Sequence, residues 1–289
     1  METIGHLLLQ FLMGFVNLIL LPWHIFQWAN METLKAQMSA FVLAGMSQEF
    51  FYVVLAFVVL LIGFGIWKRP FLRATVLGLE AFNGRVGRFA AWFALIMALQ
   101  QVLIIAMGQI FRGNELIFAP FGSVLFEEEL QWLSGQLKFY NAILIAMASA
   151  YTFIEGGHVR VDLVYAAISK RAQHWVDLLG TVFFLIPSTV LLWWFAWPLA
   201  MNSIFAQRPM NIWSEKASWR NVKLEVSGTA EFSWVWSFKI LILVFAALMF
   251  VVGVSFLLRN IWALLEPEDD VRPHRLFDAQ SADAPVPTH

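Results

Sequence analysis

The residues with the most chemical potential in this chain sit together in Glu155-Gly156-Gly157-His158-Val159-Arg160-Val161-Asp162-Leu163, between two long apolar runs. Spaced i, i+4, His158 and Asp162 would present two metal ligands on one face of a helix. No third ligand of the usual type lies nearby, and Arg160 would repel a cation, so a metal centre is disfavoured. In the architectural reading, Gly156 and Gly157 end one helix and Asp162 caps a short interfacial helix running through Ser169. A bare turn does not require His158, Arg160 and Asp162 together. That surplus marks the stretch as a candidate positioning or contact site.

Most other chemistry is excluded. Cysteine is absent, which removes disulfides, thiolate nucleophiles, cysteine-ligated zinc and iron–sulfur clusters. Haem held between facing helices needs paired histidines. His24 falls at one end of its apolar run, His158 and His174 belong to the opposite side, and runs 89–111 and 234–258 contain none. No phosphate-binding glycine loop, nucleophile elbow or zinc-protease helix occurs. The expectation is a chain that is not an enzyme and carries no cofactor.

What positions these residues is membrane architecture. The chain is 60% hydrophobic and 13% charged, whereas a soluble domain is about 45–50% apolar and about 25% charged. Several apolar runs of roughly 18 or more residues can each cross about 30 Å of hydrocarbon as a helix. They predict an all-α, polytopic integral membrane protein of about six transmembrane helices, with interfacial amphipathic helices and membrane lipids as its surroundings. A net charge of −1 offers no field for nucleic acid. Fourteen tryptophans, many at the ends of apolar runs, suit the aromatic belts of the two interfaces.

The first run covers about 7–28 and includes Asn17, Pro22 and His24. Without a positive leading segment or a small-residue cleavage site, it reads as a retained helix rather than a signal peptide. The second run, 50–67, carries no charge. Together, residues 1–67 form an N-terminal pair of spans. In 68–88, Leu72, Val76, Leu79 and Val86 recur at helical spacing while Arg73, Glu80, Asn83 and Arg85 occupy other positions. This segment is expected to lie in the interface with its basic side toward anionic headgroups.

Four spans follow within 89–265. Run 89–111 has Gln100 and Gln101 near its centre, where buried amides turn toward another helix. The segment Phe126 to Leu133 predicts a short amphipathic helical entry into the span at about 136–154, with Glu127, Glu128 and Glu129 favouring the positive end of its dipole. Run 175–201 contains Pro187, a kink site. Loop 202–233 is polar, and Trp213 and Trp219 suggest that it folds back on the membrane surface. Run 234–258 is the last span, and 266–289, rich in Pro, Asp and Ala, is expected to be a disordered tail. Lys138 and Lys239 either snorkel to the outer interface or meet acids of a partner helix or of Glu127 to Glu129, and Asp177 faces the same choice at the other side.

Basic residues orient the chain. One set of connections holds 11 of them: Lys68, Arg69, Arg73, Arg85, Arg88, Arg160, Lys170, Arg171, Arg259, Arg272 and Arg275. The other holds 6, namely Lys35, Arg112, Arg208, Lys216, Arg220 and Lys223. The richer set is assigned to the cytoplasm, which places both termini there.

Gly156-Gly157-His158-Val159-Arg160-Val161-Asp162-Leu163, followed by Lys170-Arg171 and Val176-Asp177-Leu178-Leu179-Gly180, resembles the small membrane (Q) subunit of tripartite ATP-independent periplasmic (TRAP) transporters. Glu129-Leu130-Gln131-Trp132, Leu185-Ile186-Pro187 and Trp197-Pro198 support the likeness, which spans about residues 78–265. Two features depart from the pattern. Gly108-Gln109, with Phe111 and a displaced Arg112, stands where an arginine and an aromatic residue usually end the first span, and 1–67 adds two spans to the common four.

The resemblance implies a bacterial inner-membrane complex. A large membrane subunit would carry substrate and sodium, a periplasmic binding protein would deliver an organic acid, and this chain would serve as a non-catalytic scaffold. It also implies contact or architectural roles for His158, Arg160, Asp162, Gly156 and Gly157 at the cytoplasmic turn, and for Glu129, Gln131 and Trp132 at the outer entry. Read from residues alone, an anchor subunit of a membrane oxidoreductase and a self-contained small transporter remain open.

Overall fold

In a computed structural model, the described residues are 2–118, 126–155, 168–205, 222, 224–229 and 231–266. Nine α-helices occur among them: α1 Glu2–Ile19, α2 Leu21–Ala29, α3 Leu34–Ala44, α4 Gln48–Trp67, α5 Arg69–Ile105, α6 Leu130–Ile154, α7 Lys170–Gly180, α8 Ile186–Ile204 and α9 Val235–Leu265. Five helical segments are long and apolar enough to cross a membrane, or six if α1 and α2 count as one broken span. The all-α polytopic architecture expected from composition is therefore present.

Local chemistry explains where these helices begin. Thr33, Ser47 and Ser169 stand at the N-caps of α3, α4 and α7, where their hydroxyls accept from the backbone N–H groups of Ala36, Phe50 and Ala172. Proline occupies the first turn of α2, α5 and α8, where its missing N–H costs nothing. Pro22 has a further effect. Its ring cannot continue the preceding helix, so the first apolar run breaks at Leu20 and α2 leaves α1 at 65°.

Pro187 acts more gently. The turn before it, Thr181–Leu185, widens to π-helix, which absorbs the lost hydrogen bond and lets α7 run on into α8. A second π-turn, Ala106–Ile110, closes α5, and Arg112 then adopts a left-handed φ of 52° that turns the chain away.

Two expectations change. Segment 68–88 is not separated from the next span: α5 runs through both without a break, and its 37 residues extend about 55 Å at 1.5 Å per residue. The acidic segment at 126–129 is not helical. It forms β2, Phe126–Glu129, antiparallel to β1, Glu115–Phe118, with Phe118 opposite Phe126 and Glu115 opposite Glu129. Ile117 and the phenylalanines favour extended pairing, and α6 begins only at Leu130.

α9 is the axis of the fold, and three buried clusters meet along it. Val254, Leu257, Leu258 and Trp262 pack with Val58 of α4 and with Leu72 and Val76 of α5. Leu248 and Val252 pack with Ala150 and Ile154 of α6. Leu243 packs with Ala196, Trp197 and Ala200 of α8 and Val42 of α3. Away from this axis, Phe89, Trp92, Leu95, Leu99 and Val102 of α5 are each at least half exposed. Such a stripe is tolerable only against lipid or another protein.

Candidate functional site

Polar side chains gather at the two ends of this bundle. At one end, the ion pair of Glu80 in α5 with Arg259 in α9 is buried, and Ser255 donates to Glu80 at 3.4 Å. Asn83, fully buried one turn further along α5, donates to the Leu79 carbonyl at 3.2 Å. Asn260 sits beside Arg259, with its Oδ1 3.2 Å from Nδ1 of His174 in α7. Arg69 approaches Glu266 at 3.9 Å.

The expected amphipathic pattern puts Glu80 and Asn83 off the apolar stripe of their helix. They lie instead on the stripe Leu72, Val76, Glu80, Asn83, Gly87 and Ala90, all buried. Spacings of four, four, three, four and three residues are the signal that would have found it. Gly84 and Gly87 continue the seam by letting Tyr151 of α6 lie against α5.

At the opposite end, residues 224–229 and 231–234 staple three helices together. Phe232 is buried against Gly135 of α6, where a Cβ would sit 2.5 Å from the Phe232 backbone nitrogen. Its ring stacks on Phe139 and meets Trp132 edge-on at 5.4 Å. Lys138 pairs with Glu231 at 2.8 Å, and Lys239 pairs with Glu225. Both lysines therefore find acids in the loop rather than in Glu127 to Glu129. Glu225 also accepts from the Ser203 hydroxyl at 2.6 Å, and the Lys239 and Ser203 donors together hold its carboxyl below the usual carboxylate range. At this same end, Gln100 of α5 donates to Gln136 of α6 at 3.0 Å and to the Leu133 carbonyl at 2.9 Å. Gln100 thus makes the interhelical amide contact expected of the pair, while Gln101 is exposed. Among the described residues, no three His, Asp or Glu side chains are arranged to hold a metal.

The family model for the DctQ component of tripartite ATP-independent periplasmic transporters matches residues 116–263, just over half of the chain. The chain belongs to this family. This DctQ component is thus the small permease subunit of a TRAP transporter, a multi-pass inner-membrane protein that works with a large membrane subunit and a periplasmic binding protein. No curated protein and no solved structure matches it. The family match starts after α5 and takes in α6 to α9, so α1 to α5 lie outside it.

Of the sequence-predicted residues of the DctQ component, Glu129 closes β2 and stands at the N-cap of α6 without a side-chain cap bond. Glu129 and Gln131 are exposed, and Trp132 is half-buried against Phe232. They share the hairpin end, where the Leu130 N–H donates to the Asn114 carbonyl at 2.9 Å. Gly156, Gly157, His158, Arg160 and Asp162 lie outside the described residues, as do Trp213, Trp219 and 267–289.

Proposed function

We propose that this small permease subunit is the fixed scaffold of its transporter. It holds the large subunit in place while that subunit moves substrate in sodium-coupled uptake of an organic acid. The observation that carries this reading is the use made of polar side chains inside the helices. Glu80 meets Arg259, Gln100 meets Gln136 and His174 meets Asn260, each joining one helix to another. Cross-helix pairs fix register, which suits a body that stays rigid while its partner moves.

In this reading His158, Arg160, Asp162, Gly156 and Gly157 at the cytoplasmic turn, with Glu129, Gln131 and Trp132 at the outer entry, contact the large subunit or shape the elements that do. Both termini face the cytoplasm, consistent with the distribution of basic residues. The exposed α5 stripe from Phe89 to Val102 supplies apolar surface for lipid or partner. The reading is tested by extracting tagged protein in mild detergent: the large subunit co-purifies, and a chain recovered without a stable partner contradicts the proposal.

A further inference from the structure

A cleft of about 260 Å³ opens between α4, α8 and α9. It lies on the seam between the N-terminal helices and the family domain. Phe50 and Val54 line it from α4, Trp193 and Trp194 from α8, and Ala247 and Phe250 from α9. Phe50 stacks on Trp193 at 6.1 Å, which fixes one wall.

The chemistry and size of the cleft restrict its occupant. Its walls are almost wholly carbon, and the Thr189 hydroxyl is spent within its own helix, donating to the Ile186 carbonyl at 2.8 Å. The Trp193 N–H is likewise spent, on the Gly45 carbonyl at 2.9 Å. Water needs two to four polar partners and finds none here. A partner helix is about 10–12 Å across with its side chains and does not fit such a space. Ala247 and Phe250 fall at the middle of the 31-residue α9, at hydrocarbon depth. What is abundant there, thin and apolar is a lipid tail, and leaving the cleft empty forfeits dispersion contacts on every wall.

We propose that one acyl chain of a membrane phospholipid occupies this cleft and bridges the N-terminal helices to the family domain. The added helices thereby create a lipid site that neither part holds alone.

The test uses the assembled transporter in bilayers containing a phospholipid with a photoactivatable group in its acyl chain, followed by peptide mapping. Labelling is expected to concentrate on 50–54, 189–194 and 246–251, several-fold above the open α5 face at 89–102. It falls to the level of that face in Ala247→Phe, which fills the cleft. Val54→Phe serves the same purpose should Ala247→Phe fail to elute as a folded complex. Labelling no higher than at α5, labelling unchanged in the filled variants, or labelling of the isolated chain but not of the assembled transporter would each overturn the proposal.

Discussion

Glu80 of α5 and Arg259 of α9 form an ion pair across 179 residues of sequence, with side chains only 8% and 16% exposed. Arg259 also lies over the Phe256 ring at 5.4 Å. Breaking such a pair leaves a buried charge uncompensated, at a cost of about 3–5 kcal/mol, whereas replacing both members by apolar residues is far milder. Arg259→Leu alone should sharply lower the thermal unfolding midpoint in detergent, and Glu80→Leu with Arg259→Leu should recover most of the loss. Equal damage from the single and double variants would show that the pair does not act as a unit.

Gly87 and Gly78 lie on the same helix but face different surroundings. A Cβ on Gly87 would come within 2.3 Å of the Tyr151 Cβ, whereas one on Gly78 meets nothing within 4 Å. Gly87→Ala should therefore force α5 and α6 apart and destabilise by about 1–3 kcal/mol. Gly78→Ala should be neutral or stabilising by up to about 1 kcal/mol from helix propensity. Unfolding curves of the two variants give the comparison directly.

The N-terminal helices are fastened to the family domain by indole hydrogen bonds. The N–H of Trp197, which is buried, donates to the Val42 carbonyl at 2.9 Å, and Gly45 leaves room for the Trp197 ring where a Cβ would clash. Trp197→Phe keeps the aromatic packing but orphans that carbonyl, at an expected cost of about 1–3 kcal/mol. A melting midpoint unchanged from the parent protein would mean that the contact contributes nothing.

Glu225 supplies a pH dependence. Its carboxyl titrates below the ordinary range because Lys239 and Ser203 donate to it. Its contribution is therefore fully present above the ordinary carboxylate pKa and is lost as pH falls through the lowered value. Comparing unfolding midpoints from neutral to acidic pH, the parent protein should lose more stability than Glu225→Gln. Parallel pH profiles would remove Glu225 from the account.

Under the proposed scaffold function, Arg160 docks against the large subunit, where an unpaired charge is costly. Arg160→Ala should lower recovery of the large subunit and uptake by the complex while leaving membrane insertion of this chain intact. Unchanged recovery and uptake would confine Arg160 to setting topology.

The membrane class and the spans were legible because length and hydropathy are local properties. Phe50 to Trp67 reads as a span with no knowledge of its neighbours, and it is α4. Gln100 was legible for the same reason, since an amide in hydrocarbon has few options. Glu80 was not, because its partner lies far away in sequence and its neighbours Arg73 and Arg85 pointed to a solvated face. The hairpin was hidden because three consecutive acids favour a helix N-terminus over a strand, and only the pairing of 115–118 with 126–129 overrides that preference. Pro22 was visible, but the 65° turn it permits was not. Of the candidate site, the signature at 156–163 pointed to the family, while the staple of Phe232 into Gly135 depended on a loop that composition described only as polar.

The scaffold reading is tested most directly by substrate uptake into proteoliposomes. With a sodium gradient, this subunit together with the large subunit and the binding protein should accumulate the organic acid, and this subunit alone should show no uptake above empty vesicles. Saturable uptake by this chain alone would contradict the account.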